Sequence, residues 1–364
     1  MGVTQLASMN EAEAQDRPRP KLDVVICHDG PIWELDWYAN ALGDFELTVH
    51  RSPDFSLVIP GALYMLHGSL GFAKLPKEFL ARVKAAGNCG VIHLGDEFFR
   101  GPYSIYGNFA YAIRTHFAEF LQSPAVLQIP LGYSNNMQPT RGLPASLRKY
   151  AWAFTGAKGP ARVKIGKQWE SFAAGRNFLY LVDLREGVSH LSRQQFLDLL
   201  TDSAFVPCPM GNAHLESLRI YEALERGAIP IVSTRKRLAY FDKVLGAGHP
   251  IPQFGDWATA RAWAEDIYSR PADLDRLQAD IQDWWAAKKA EVRQTVGAFV
   301  TAGMTGAFRA TLERDFAHRS SLLTQPARLW ELYRHHDASA MRGRVQITSR
   351  KIAKQLGVIG GAAK

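Results

Sequence analysis

The chain reads as an α/β protein of two domains, each built on a mainly parallel sheet. Three observations predict this. Short apolar runs alternate with longer amphipathic stretches through most of the sequence. The segment Ser203 to Ser233, SAFVPCPMGNAHLESLRIYEALERGAIPIVS, reads as a complete βαβ unit. A stretch bearing Pro139, Gly142 and Pro144, from Gln138 to Leu147, separates two halves of similar size. With 364 residues, 47% of them hydrophobic, the chain has material for two cores.

Residues 1–20 are polar and are expected to form a disordered leader. The first domain, 21–140, opens with a strand over Leu22 to Cys27, ending at His28-Asp29-Gly30. A helix over Leu35 to Leu42 and strands over Glu46 to His50 and Ser56 to Ile59 follow. Leu75 to Ala86 is a helix with Phe79, Leu80 and Val83 on its apolar side, closed by Gly87-Asn88. Cys89 to Leu94 is a strand opening onto Gly95-Asp96-Glu97. Tyr106 to Leu121 reads as a helix carrying Arg114, and Ala125 to Leu131 as the last strand. The second domain, 148–322, begins with a strand over Ala151 to Thr155 and a helix over Arg162 to Ala173. A strand over Phe178 to Val182, a helix over Arg193 to Leu200, the βαβ unit and a short strand over His249 to Phe254 follow. From Ala258 the chain is mostly helical, and 323–364 is expected to be a C-terminal helix and a basic tail.

The βαβ unit gathers its polar groups at one end. Ala204-Phe205-Val206 is a strand run stopped by Pro207 and Pro209, and Gly211-Asn212 supplies a turn and an N-cap. His214 to Arg226 reads as a helix with Leu218, Ile220, Tyr221 and Leu224 on its apolar side, and Ile229 to Val232 as a buried strand. Ligands of such units sit beyond the carboxyl ends of the strands. The helix dipole and free N–H groups favour an anion at Gly211-Asn212. Arg219 and Glu222, three apart, share a face. Arginine can fork onto a diphosphate, and glutamate can accept from ribose hydroxyls, so the pair suits a sugar nucleotide. An ordinary surface ion pair has the same spacing.

Phe205, Cys208-Pro209, Gly211, Ser217, Arg219, Glu222-Ala223-Leu224, Gly227 and Ile229-Pro230 form a pattern that resembles the donor-binding half of exostosin-type glycosyltransferases. Upstream lie His93-Leu94-Gly95-Asp96-Glu97, Arg114 and Ile129-Pro130-Leu131-Gly132, then Phe154-Thr155-Gly156 followed by Arg162. That order resembles the ribitol xylosyltransferase branch of the family, over Val91 to Val232. The resemblance implies the GT-B architecture, two facing Rossmann-like domains, and a nucleotide-sugar donor, usually a UDP-sugar. It implies that Glu222 holds the ribose and Arg219 lies near the diphosphate, with Gly211, Asn212 and Ser217 among the donor-binding positions. One position departs: Glu216 stands where many exostosins carry glycine.

Catalytic groups belong across the crevice from the donor. Asp96 and Glu97 follow a strand, and either carboxylate can take the proton of an acceptor hydroxyl in an inverting transfer. His93 is a second candidate, with His28 and Asp29 as rivals. Otherwise His93 is a core histidine and the Asp-Glu pair caps a turn. Arg114 suits positioning, or is a helix-surface arginine, because a cation cannot act as the base. The turn from Phe154 to Gly159 resembles the loop after the first strand of a donor domain. Its backbone at Gly156, with Arg162 or Lys158, can stabilise a departing diphosphate; a solvated loop is the plainer alternative. Asp273-Leu274-Asp275 sits after Pro271 at a helix start and reads as a cap, and His335-His336 as an exposed pair. Neither a metal nor a cofactor is expected, since cations are on hand for the diphosphate.

The net charge of +8 is uneven. After Asp337 the tail carries Arg342, Arg344, Arg350, Lys351, Lys354 and Lys364 and no acid, with Val345, Ile347, Ile352, Leu356, Val358 and Ile359 between them. Such a tail is either a basic amphipathic segment that contacts anionic lipid or an acidic polymer, or a disordered terminus. No recognised nucleic-acid module accompanies the charge, so no nucleic-acid partner is expected. The N-terminus lacks the positive start and apolar block of a secretory signal, and no run approaches the ~20 apolar residues of a membrane helix. Cys27, Cys89 and Cys208 are odd in number and lie in apolar runs, as buried reduced thiols do. The expectation is a cytoplasmic enzyme, peripheral to the inner face of the membrane at most. It would move a sugar from a nucleotide-sugar donor to a glycan or glycolipid acceptor in polysaccharide or surface-glycan synthesis. The alternative is a catalytically silent glycan-binding or scaffold protein of the same fold.

Overall fold

A computed structural model describes residues 18–68, 75–158, 160–172, 176–182, 191–211, 213–235, 238–319 and 321–335. Most of the expected leader, Asn212 and the tail beyond His335 lie outside the described residues. The first half contains β1 (Lys21–Ile26), α1 (Leu35–Ala41), β2 (Glu46–Arg51), β3 (Leu63–His67), α2 (Lys77–Ala86), β4 (Gly90–Leu94), β5 (Tyr111–Arg114) and β6 (Val126–Gln128). The second contains β7 (Tyr150–Ala157), α3 (Pro160–Trp169), β8 (Asn177–Val182), α4 (Arg193–Thr201), β9 (Ser203–Cys208), α5 (Leu218–Glu225), β10 (Ile229–Ser233), α6 (Tyr240–Leu245) and β11 (Gln253–Phe254). Four helices close the chain: α7 (Trp257–Tyr268), α8 (Pro271–Met304), α9 (Arg309–Phe316) and α10 (Ser321–His335).

The strands form two sheets, ordered β2-β1-β3-β4-β5-β6 and β11-β10-β9-β7-β8, and their pairings are parallel. Helices cover the sheets, so central strands are buried on both faces; every residue of β4, β5 and β9 is buried. The strand order reverses between β1 and β3 and between β7 and β9. Crevices open at such points beyond the carboxyl ends of the strands.

Four expectations change. Ser56 to Ile59 is loop, and the strand is β3. Here the Ser52 hydroxyl accepts the Leu57 N–H and the Tyr64 hydroxyl accepts the Ile59 N–H, so side chains satisfy this backbone without a neighbouring strand. Tyr106 to Leu121 is not one helix. Two 3₁₀ turns, Tyr103–Asn108 and Glu119–Leu121, flank β5, whose four residues are all buried in the sheet. Arg114 therefore ends a strand. β9 continues through Pro207, which lies past the last β7 pairing, Trp152 with Phe205, where its missing N–H costs nothing on that side. The strand expected over His249 to Phe254 contracts to β11.

The 34-residue α8 ties the halves together. Trp285 stacks on Trp37 of the first domain at 5.9 Å and meets Tyr221 of the second at 5.6 Å. Further along, Arg293 pairs with Asp44, and Gly303 lies against the Tyr111 ring so closely that a Cβ would stand 2.2 Å from it. Leu312 and Phe316 of α9 join the core on one face of the first sheet. The sequence limits placed α8 and α9 with the second domain; by packing, their later turns belong to the first. No helix among the described residues is long and apolar enough to cross a membrane.

Candidate functional site

The carboxyl edges of the two sheets meet at the loop between β9 and α5. The expected helix from His214 begins only at Leu218, with Ser217 extended at the N-cap position (φ −145°, ψ 151°). The reason is that Ala213 to Glu216 are committed to the seam, all buried to 1% exposure or less. Glu97, beyond β4, accepts the Ala213 N–H at 2.8 Å. The His214 ring is 3.4 Å from the Phe117 carbonyl and packs against Phe99, His116, Tyr240 and His335. Glu216 accepts from the Leu131 N–H at 2.7 Å, from the Tyr240 hydroxyl at 2.6 Å and from the Tyr221 hydroxyl. Burial raises its pKa, and these three donors oppose the rise. Glu216, the departure from the exostosin pattern, is thus an anchor between domains. His335, expected to be exposed, is fully buried and its ring centre lies 3.9 Å from that of His214. His336 lies outside the described residues.

The helix N-terminus is therefore at Ser217-Leu218 and not at Gly211-Asn212, which moves the anion position expected from the dipole. The Ser217 hydroxyl oxygen is buried and has no hydrogen-bond partner among the described residues. Arg219 donates to the Thr155 carbonyl, lies 3.5 Å from Glu222 and sits over the rings of Phe154 and Phe196. Glu222 also accepts from the Ser134 hydroxyl and has Arg193 at 3.8 Å. Arg219 and Glu222 do form the i,i+3 ion pair, but at the domain seam, with side chains only 20% and 9% exposed. Arg162 donates to the Ala157 carbonyl at 3.0 Å. Burial lowers its pKa, the Arg219 charge adds to this, and Glu97 opposes it. Gly211 is closely packed, since a Cβ would lie 2.7 Å from the Glu97 carboxylate and 3.1 Å from the Glu216 carbonyl, so a side chain there would push Glu97 aside. Gly156 is not, because a Cβ there would make only ordinary contacts with Phe154 and Arg162. Two guanidinium groups, an unpaired hydroxyl and a helix N-terminus can together hold a diphosphate, with Glu222 beside them as a hydroxyl acceptor.

Across the seam, Asp96, His93 and Arg114 form one buried network. Asp96 accepts from the Tyr103 hydroxyl at 2.6 Å and the Arg100 N–H at 2.7 Å, and lies 3.7 Å from Arg114. Burial raises its pKa, with Arg114 and Tyr103 opposing. His93 Nδ1 is 2.7 Å from the Tyr106 hydroxyl, and burial with the Arg114 charge holds the ring neutral. Arg114 sits between the rings of Tyr103 and Phe99. Glu97 is half-buried and reaches the second domain. At the first switch point His28 stacks on His67 at 4.6 Å, while Asp29 is exposed. Burial, with His28 beside it, lowers the His67 pKa.

Sequence reasoning missed His67, Ser134, Arg193 and Phe196. His67 had a signal: the apolar run Leu63 to Leu66 ends at His67-Gly68 much as β1 ends near His28. Arg193 opens α4 behind a capping box of Ser192 and Gln195, which marks a helix start but not its partner. Asp273, in the first turn of α8, pairs with Arg270 and Arg276, and Asp275 accepts from Ser146; the expected cap does not form, since α8 starts without a side-chain capping bond. Among the described residues His116, His214 and Glu216 each bring a metal-ligating atom within 4.8 Å of the others, but Glu216 already accepts three hydrogen bonds there. Two cavities, of about 460 and 190 Å³, lie beside Phe117 and Gln128 and beside Arg141 and Trp285; neither is lined by a candidate residue.

No family model matches this chain. No curated protein matches it either. Solved structures resemble it distantly. An α1,3-fucosyltransferase shares 11% identity over 79% of this chain and 91% of its own, with a TM-score of 0.45. A structure described as trehalose-6-phosphate from E. coli bound with UDP-2-fluoro glucose shares 9% over 78% and 99%, with a TM-score of 0.47. TarM shares 8% over 71% and 55%, with a TM-score of 0.36. This chain's own two parallel-stranded domains, with meeting carboxyl edges and helices that return to the first, form an α/β fold of the GT-B kind.

Proposed function

We propose that the protein transfers a sugar from a nucleotide-sugar donor to a glycan or glycolipid acceptor without a catalytic metal. One observation carries this: Arg162, Arg219 and the unpartnered Ser217 hydroxyl gather at the β7/β9 switch point, where the domain edges meet. The arginines and the helix N-terminus would receive the diphosphate and Glu222 the ribose. Glu97 is the base candidate whose side chain stands at the crevice. In an inverting transfer it would take the acceptor proton while that oxygen attacks the anomeric carbon and the bond to the diphosphate breaks. Arg114 and His93 would hold Asp96 and the loop after β4 in place. The motif resemblance to exostosin-type enzymes supports a UDP-sugar and surface-glycan synthesis. Three buried, unpaired thiols suit a cytoplasmic setting.

A nucleotide-sugar panel read by thermal shift, with product mass spectrometry on the donors that bind, tests the reading. A stabilising donor whose sugar appears on an acceptor is the expected result. Binding of glycan with neither donor binding nor transfer would overturn it in favour of a silent scaffold.

A further inference from the structure

We propose that the outer face of α10 docks this protein on an anionic lipid bilayer. The helix is amphipathic the wrong way round for a soluble protein. Its inward side is mostly polar: Glu331 and His335 are buried, Arg334 donates twice to Glu119, Arg328 donates to the Phe98 carbonyl at 3.1 Å, and, of the apolar residues described there, Leu332 alone packs against the core of the first domain. Its outward side is apolar: Leu329, Trp330 and Tyr333 are 53%, 61% and 49% exposed, and the Trp330 and Tyr333 rings stack at 5.7 Å. Water disfavours such a face. The bilayer interface favours it, because tryptophan and tyrosine present an apolar body with a polar tip.

The chain beyond the helix says which occupant fits. Residues 336–364 begin directly after α10 and carry six lysines and arginines against the single acid Asp337, with apolar residues spaced between them. A second copy of this chain, itself basic at +8, would be repelled by that run. An anionic headgroup layer attracts it, while the acyl boundary takes the aromatic side chains. The inference stands apart from the donor reading, since no nucleotide takes part.

Flotation of the full chain with phosphatidylcholine vesicles, and with phosphatidylcholine/phosphatidylglycerol vesicles, tests it. The wild type should float with the anionic vesicles only, and less so as salt rises. Trp330→Ser with Tyr333→Ser, and separately Arg350→Gln with Lys351→Gln and Lys354→Gln, should each lower the partition coefficient about tenfold or more. The thermal melt of the aromatic double variant should match the wild type, because Trp330 and Tyr333 are exposed. Glu222→Ala should float normally, which keeps a failed donor assignment distinct from a failed docking surface. No flotation, or equal flotation of wild type and both variants, would overturn the proposal. So would self-association that the aromatic double variant abolishes while vesicle binding is absent.

Discussion

Three groups, Ser134, Arg193 and the Thr155 carbonyl, converge on two paired side chains at the donor edge. Glu222 takes the Ser134 hydroxyl and faces Arg219 and Arg193, and Arg219 is also held by the Thr155 carbonyl. Both side chains are therefore pre-oriented before any ligand arrives, which lowers the ordering cost of binding. Glu222→Ala should weaken nucleotide binding by roughly 1.5–3 kcal/mol, the usual worth of a hydrogen bond to a charged group. Calorimetry with UDP and GDP checks this, and unchanged affinity for every nucleotide the wild type binds would remove the ribose role. The neighbouring carboxylates across the seam should separate cleanly. Asp96 is buried and holds two donors as well as Arg114, so Asp96→Asn turns an amide N–H toward a donor and should cost about 1–3 kcal/mol of stability. Glu97→Gln should leave the melt and donor affinity near normal and slow transfer by about 10²–10⁴-fold. Near-normal turnover of Glu97→Gln would shift attention to His93, His28 and the missed His67.

At the scale of elements, the loop before α5 shows how a tertiary contact shortens a helix. Residues 214–217 have helical company in sequence, yet Glu216 serves Leu131, Tyr221 and Tyr240 only from an extended approach. Placing there the glycine that exostosins carry, by Glu216→Gly, strands three buried donors. At about 1–3 kcal/mol for each unsatisfied group, the loss should exceed about 3 kcal/mol in a denaturant titration. Glu216→Gln keeps one acceptor oxygen and should lose less. Equal stability of all three proteins would show that the seam does not depend on this carboxylate.

At the scale of the molecule, the seam and sheet edges are rich in buried histidine. Burial lowers the pKa of His67, His93, His116, His214, His249 and His335, with His116 near 3. Below about pH 6.5 the unfolded chain binds protons that these rings refuse, so their contribution to stability is lost as pH falls. Glu34, Asp96 and Glu216, whose pKa values burial raises, act in the opposite sense. The histidines outnumber them, so the melting temperature should drop between pH 7 and pH 5. Each net proton steepens the slope by about 1.4 kcal/mol per pH unit. A flat or rising profile would contradict the burial of these rings. Transfer itself should survive EDTA, because Arg162, Arg219 and the start of α5 would meet the leaving diphosphate without a metal. Activity lost to EDTA and restored by Mn²⁺ or Mg²⁺ would reject that.

Local pattern alone determined much of this protein. The alternation of strands and helices, the α/β class with its two parallel sheets, the Arg219–Glu222 pairing and the buried thiols were all legible from residues near one another in the chain. Contacts distant in sequence decided the rest. β5 was hidden because a strand buried on both faces shows no alternation, and Ile113 within it falls at helical spacing with Phe109 and Phe117 on either side. Glu222, Glu97 and Glu216 each take one partner from the other domain, tens of residues away. His335 is buried only because α10 returns to the seam with its polar side inward. Propensity and spacing act over a few residues, whereas burial is set by which surfaces the whole chain brings together, and at this seam burial prevailed.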